Sequence, residues 1–248
     1  MITIINNKQG GKMKAFNREM LKSAIRGSVR RVYEAQINAP DLYRNTLDCF
    51  SAAIDSVSQG ISLDEWMLQE RERQVQKTKQ NAIGSLHEEI MGSIYGVENL
   101  AVGNLIDIIC HERKIIAEVK NKHNTTKGNH KVSIYRDLSK AIEQYPGYTG
   151  YYVEILPKNC SVYNEMFTPS DNQTSNRLPP RADIRRIDGR SFYQILTGHA
   201  DAIDELYNEL PKLVSEVIKE EFNVSLDYNK VVSSVAFQEN FSRAYERN

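Results

Sequence analysis

Asp107, followed after ten intervening residues by Glu118-Val119-Lys120, is the constellation in this chain that could do chemistry. Side chains two positions apart share one face of a strand, so Glu118 and Lys120 point one way and Val119 the other. With Asp107 on a neighbouring strand, two carboxylates converge beside one ammonium. Such a pair suits a hard cation such as magnesium, which takes oxygen ligands and keeps several waters. There it would polarise a phosphate and activate a water. Lys120 would position that water or help deprotonate it, and would offset developing charge. The spacing alone is common in a chain with 26% charged residues. Its surroundings sharpen it, because both acids lie inside apolar runs, Leu105-Ile106-Asp107-Ile108-Ile109 and Ile115-Ile116-Ala117-Glu118-Val119. A charge among aliphatic side chains is costly unless it is paired or holds a cation.

These residues need two short strands, and the polar segment His111–Lys114 between the runs predicts the turn of a β-hairpin. A helix with carboxylates precedes it. Ile83, Leu86, Ile90 and Ile94 form one apolar stripe. At about 100° per residue, Glu89 flanks that stripe and Glu88 lies nearly opposite it. Glu89 is therefore expected to reach the site as a third acid, Glu88 to be solvated, and His87 to be a hydrogen-bonded boundary residue. Upstream, residues 13–94 read as helical, with Leu47, Phe50, Ile54 and Val57 at helical spacing and Gly60 as a stop. Ser62-Leu-Asp-Glu65 predicts a capping box, and Arg71 to Lys79 a solvated helix face. Downstream, 121–131 reads as a loop, 132–144 as a helix and 151–156 as a strand ended by Pro157. The segment 167–190, with Pro169, Pro179 and Pro180, reads as irregular, and from Gly189 the pattern is helical to the end with a break near Pro211.

The 248 residues carry 32 basic and 32 acidic side chains, a net charge of zero. A general nucleic-acid coat protein is basic throughout, and this chain is not. The charge is uneven, however. His111–Lys140 has eight Lys/Arg against three Asp/Glu, and Arg177–Arg190 has five Arg against two Asp. Such local patches suit a protein that meets phosphates on one face. Three widely spaced cysteines indicate neither a zinc site nor a disulfide framework. There is neither a membrane-length apolar run nor a secretory signal, so a cytoplasmic protein is expected.

Asp107…Glu118-Val-Lys120 with a preceding helical glutamate resembles the PD-(D/E)xK nuclease superfamily, with Ile106 where the motif's name has proline. The run Ile116-Ala-Glu-Val-Lys-Asn-Lys-His-Asn-Thr-Thr-Lys-Gly128, then Phe167-Thr-Pro-Ser-Asp-Asn172, then Asp188-Gly-Arg-Ser-Phe-Tyr193 with Thr197-Gly198, is similar to type II restriction endonucleases that cut GGNCC-like sites. The resemblance spans about 83–211. It implies an α/β fold with a mixed central sheet flanked by helices, here with a helical N-terminal region. It also implies a homodimer, a short palindromic target in double-stranded DNA, and hydrolysis leaving 5′-phosphates. Cutting both strands of a palindrome also requires two sites related by a two-fold axis. The expected organisation is one nuclease domain over 1–248, with a helical part at 1–80, a catalytic core at 81–160, a DNA-recognition segment at 161–198 and helices at 199–248.

The loop after Lys120 offers Asn121, Lys122, Asn124 and Lys127 to DNA, since Lys meets phosphate or guanine and Asn pairs with adenine. Asn172, Arg181 and Arg185 belong to a second candidate surface. The rival readings are a structure-specific repair or recombination nuclease, a DNA-binding protein that keeps the fold without hydrolysis, and an RNA nuclease. A restriction enzyme also implies a DNA methyltransferase in the same system, protecting the host without being bound to this chain.

Overall fold

The computed structural model describes residues 13–38, 41–44, 46–100, 103–171 and 176–246. Four helices lead the chain: α1 (Arg18–Ile37), α2 (Cys49–Gln59), α3 (Leu63–Gly84) and α4 (Leu86–Met91). Asn17 caps α1, its side chain accepting from the Glu19 and Met20 amides, and Leu21, Ile25, Ser28 and Val29 bury one face at helical spacing. Gly60 ends α2 in the left-handed region (φ 66°), and Ser62 and Glu65 form the predicted capping box at the start of α3.

Two expectations for this region change. The apolar stripe of α2 faces outward, with Phe50, Ile54 and Val57 exposed. The stripe begun at Ile83 is also not continuous. The helix breaks at Ser85, which closes α3 and opens α4, and Ile83 is exposed while Ala82 is buried.

The centre is a six-stranded mixed sheet in the order β1 (Glu98–Asn99), β2 (Ile108–Cys110), β3 (Ile115–Lys122), β4 (Thr149–Leu156), β8 (Ile184–Asp188) and β5 (Asn164–Met166). The β2–β3 hairpin is antiparallel, while β3, β4 and β8 run parallel. Helix α5 (Gly128–Gln144) connects β3 to β4, as a parallel pair requires. It starts four residues earlier than the periodicity predicts. A small ribbon, β6 (Ser170–Asp171) with β7 (Asn176–Arg177), stands apart from the sheet. The segment read as irregular over 167–190 therefore contains β8, which pairs on both sides, so Arg185 is a strand residue. Helices α6 (Gly189–Thr197), α7 (Ala202–Phe222), α8 (Asn229–Val232) and α9 (Val235–Tyr245) follow.

Each face of the sheet has its own core. On one side α5 brings Ile134, Tyr135 and Leu138 against Ile109, Ile116 and Tyr152. On the other, α1, α4, α6 and α7 cover Ile108, Ala117, Val119 and Val153. Pro211 does not break α7, which runs through it. A proline inside a helix costs about 3 kcal/mol, and the buried residues Ile203, Leu206, Leu213 and Val217 on either side hold the helix together. None of the helices among the described residues is long and apolar enough to cross a membrane.

Two predictions test these packing arguments. A Cβ at Gly189 would sit 2.5 Å from the Ile155 carbonyl oxygen, whereas one at Gly84 meets nothing within 4 Å. Urea denaturation should therefore find Gly189→Ala destabilised by about 1–3 kcal/mol and Gly84→Ala neutral or slightly stabilised. The second concerns His87, whose Nδ1 lies 2.9 Å from the Tyr193 hydroxyl and whose pKa burial pulls down to about 4. The unfolded imidazole takes up its proton near pH 6.5, ahead of the folded one. This stability is whole above pH 6.5 and drains away as pH falls toward 4, by up to about 3 kcal/mol. The unfolding free-energy gap between wild type and His87→Gln should shrink across that window; a gap independent of pH would refute the assignment.

Candidate active site

The hairpin sets the first pair of groups. Ala117 stands opposite Ile108 across the β2–β3 register, and the Asp107 amide donates to the Ala117 carbonyl at 3.0 Å. Asp107 thus extends the ladder by one residue beyond β2. Its Oδ2 accepts from the Val119 amide at 2.7 Å, which fixes the carboxylate against β3. Alternation along β3 buries Val119 in the core under α1 and α4 and turns Glu118 and Lys120 to the other face. Lys120 Nζ then lies 2.6 Å from Glu118 Oε1 and 3.8 Å from Asp107 Oδ2. The structure brings these three predicted residues together.

Their electrostatics follow from partial burial. Desolvation and then the Asp107 charge raise the Glu118 carboxyl, against the pull of Lys120. Burial works to lower Lys120, but Glu118 and Asp107 outweigh it and the net shift is upward. The ammonium is therefore held charged between two acids.

The fourth group is not the one expected. Glu89 turns away to α1, where Ser28 Oγ donates to it at 2.6 Å and Arg31 at 2.8 Å. Glu88 instead faces the trio. Burial first, then Asp107 and Glu118, push its carboxyl up to about 7, with Lys120 opposing. The cause is the break at Ser85. A helical phase counted from Ile83 does not carry into α4, whose buried anchors are Ile90 and Met91. Glu88 and Met91 are three apart and share a face.

The candidate DNA residues divide. Lys122 continues the face of Glu118 and Lys120 at the end of β3. Asn124 follows in the turn, and Lys127 is the exposed residue just before α5. Asn121, in contrast, falls on the opposite face from Lys120 and belongs to the strand, not to a loop. Arg185 is likewise on the opposite face of β8 from Arg186 and bonds Asn164 at 2.5 Å. Arg181 precedes β8 and forks onto Asp183 at 2.9 and 2.7 Å. The parallel register pairs Lys120 with Glu154 and Glu154 with Asp188, so Arg181 lies at the far end of the strands. Asn172 lies outside the described residues.

Sequence reasoning missed Glu154, which is 2% exposed on β4 next to Lys120 and is bonded by Lys131 at 3.2 Å and by the Tyr163 hydroxyl. The signal was available. Glu154 interrupts the apolar run Tyr151–Leu156 just as Glu118 interrupts its own.

Among the described residues, no three His, Cys, Asp or Glu side chains form a ready-made metal cage. Magnesium does not require one, since one or two carboxylates, waters and substrate phosphates complete its shell. Asp107 and Glu118 are such a pair in kind, and a single cationic group already shares both.

Known proteins match this same stretch of chain. The family model described as Eco47II restriction endonuclease matches residues 15–219. The type II restriction enzyme Eco47II of Escherichia coli is 36% identical over 180 residues, covering 71% of this chain and 75% of that protein. The type II restriction enzyme Sau96I of Staphylococcus aureus is 31% identical over 193 residues, covering 75% and 74% respectively. The family match runs from the cap of α1 into α7, and so takes in the entire sheet and the Asp107–Glu118–Lys120 site. This chain therefore belongs to the Eco47II restriction endonuclease family.

Proposed function

We propose that this protein hydrolyses phosphodiester bonds in double-stranded DNA at a short palindromic, GGNCC-like site, leaving 5′-phosphate ends. The observation that carries the chemistry is the convergence of Asp107 and Glu118 on the Lys120 ammonium, at 3.8 and 2.6 Å. The enzyme class rests on the restriction-enzyme relatives, and the GGNCC-like site on the resemblance of the motifs at 116–128, 167–172 and 188–198. Asp107 and Glu118 would hold magnesium, which when bound supplies Lewis-acid polarisation of the scissile phosphate and a more acidic water. The Asp107 carboxylate is already oriented by the Val119 amide. Lys120 stays charged beside its two acids. It would position the attacking water or help deprotonate it, and would offset charge building on the phosphoryl oxygens. Glu88, with its carboxyl near neutrality, is the supporting acid in place of Glu89. Lys122, Asn124 and Lys127 supply phosphate and base contacts beside the cut. Two copies act together, one per strand, in the cytoplasm of a host whose methyltransferase protects the same sites.

The test is digestion of a long phage DNA with magnesium, with EDTA, and with Glu118→Ala. Discrete fragments lost in both controls are the expected result, and end-sequencing then reads the site and the 5′-phosphate. Cutting only at nicks, flaps or ends would instead favour a structure-specific nuclease, and intact DNA bound by a folded wild type would end the catalytic reading.

The two neighbouring glutamates separate in the same assay. Glu88→Gln should slow cleavage roughly 10- to 100-fold with little change in melting temperature. Glu89→Gln, which removes the charge and one of the two oxygens that accept from Ser28 and Arg31, should cost about 1–2 kcal/mol of stability and spare turnover. The reverse pattern would return the supporting role to Glu89.

A further inference from the structure

The α5 face of the sheet carries a second polar cluster that the catalytic trio does not use. Across the parallel strands, Glu118 stands beside Tyr152, and Tyr152 beside Arg186. Neighbouring strands are about 4.8 Å apart, which places Arg186 roughly 10 Å from Glu118. That is about three steps along a duplex strand, whose phosphates advance 3.4 Å each. Arg186 lines an open groove of about 380 Å³ together with Lys131, Glu165, Phe167, Thr168 and Arg177.

The Arg186 guanidinium is held on both sides. Its carbon lies 4.6 Å from the centre of the Tyr163 ring, and its Nη2 donates to Glu165 Oε1 at 2.7 Å. Tyr163 is itself fixed, since its hydroxyl donates to the buried Glu154 at 2.5 Å and its amide to Asp188 Oδ2 at 2.9 Å. Lys131 bonds the other oxygen of Glu154 at 3.2 Å. A buried carboxylate thus anchors both the lysine and the aromatic platform under the arginine. Stability alone gives little reason for the Arg186–Glu165 pair, whose side chains are 34% and 55% exposed, because exposed ion pairs contribute little.

Resting on the nuclease reading above, we propose that Arg186 and Glu165 together read one G·C base pair beside the cut. In the major groove guanine presents two acceptors, N7 and O6, and its partner cytosine presents the N4 donor. An arginine with free N–H groups next to a carboxylate oxygen offers the complementary order of donors and acceptor. Lys131 and Arg177 flank the pair as phosphate contacts, and Glu154 is the positioning residue that holds Tyr163 and Lys131.

The experiment selects sequences from a randomised duplex library, by cleavage with magnesium and by binding with calcium instead. Wild type, Arg186→Ala and Glu165→Gln are compared, with Arg186→Lys standing in if the alanine variant does not fold. Both variants should lose preference at the same G·C pair, by roughly 10- to 100-fold, while other positions keep theirs. Unchanged preferences, or a uniform loss across all sequences, would overturn the proposal. Specific binding by a wild type that does not cut would sink the nuclease reading alone, and the binding arm would still decide the role of Arg186 and Glu165.

Discussion

Two carboxylates cannot share a few ångströms of poorly solvated space without a counter-charge, and near the C-terminal end of β3 that charge is Lys120. Asp107, Glu118 and, from α4, Glu88 all bear on one ammonium. Burial first, and then the like charges, raise Glu118 and Glu88, while the ammonium restrains both. Such a cluster is stable only if a cation is always present, whether the lysine alone or the lysine with a bound metal. It is therefore poised to accept positive charge and a phosphate that brings its own negative charge. The three acids also differ in kind. Asp107 is fixed by a backbone amide, Glu118 by the lysine, and Glu88 is held mainly by its surroundings.

Holding that cluster is a task for backbone, not for side chains. The β2–β3 register sets Ile108 opposite Ala117 and so brings the Asp107 amide onto the Ala117 carbonyl, and strand alternation does the rest. The hairpin in turn is held from both sides. Beneath it α1, α4, α6 and α7 form one core with Val119 and Ala117 in it, and above it α5 seals Ile116 and Ile109. Helix α1 is joined to α7 by a ladder of pairs, Arg18–Glu216, Lys22–Glu220 and Arg26–Glu221. These largely exposed pairs add little individually. They orient α1 against α7, so the first helix braces the sheet that carries the candidate site. Glu89 belongs to this brace through Ser28 and Arg31, one residue from a group that faces the chemistry.

What was legible in the sequence was local. Asp107, Glu118 and Lys120 converge because a two-residue period and a short turn fix their relation within 14 residues. The capping box at Ser62 and the stop at Gly60 are likewise decided by neighbours a few positions away. What was not legible depended on distant partners or on one break. Ser85 shifts the helical phase, so Glu88 and Glu89 exchange places. Strand β8 is five residues long after a proline-rich stretch, and its pairing with β4 on one side and β5 on the other makes it a strand. With that strand unseen, Arg185 and Arg186 look equivalent, although the pleat sends them to opposite faces. Pro211 reads as a helix break until the packing on both sides of it is known.

The neutral net charge fits this division of labour. Non-specific affinity for nucleic acid grows with the number of phosphates neutralised, and a chain with 32 charges of each sign has no surplus for the purpose. Many of its cations are already engaged. Arg18, Lys22 and Arg26 serve α7, Arg31 serves Glu89, and Arg181 serves Asp183. Along the chain, local basic excesses fall at 111–140 and 177–190, the stretches that include the end of β3, the start of α5 and β8. A protein with this charge balance has little general attraction to nucleic acid. It must gain the rest of its affinity from groups that meet particular bases, and this favours discrimination between sequences over tight binding to any of them.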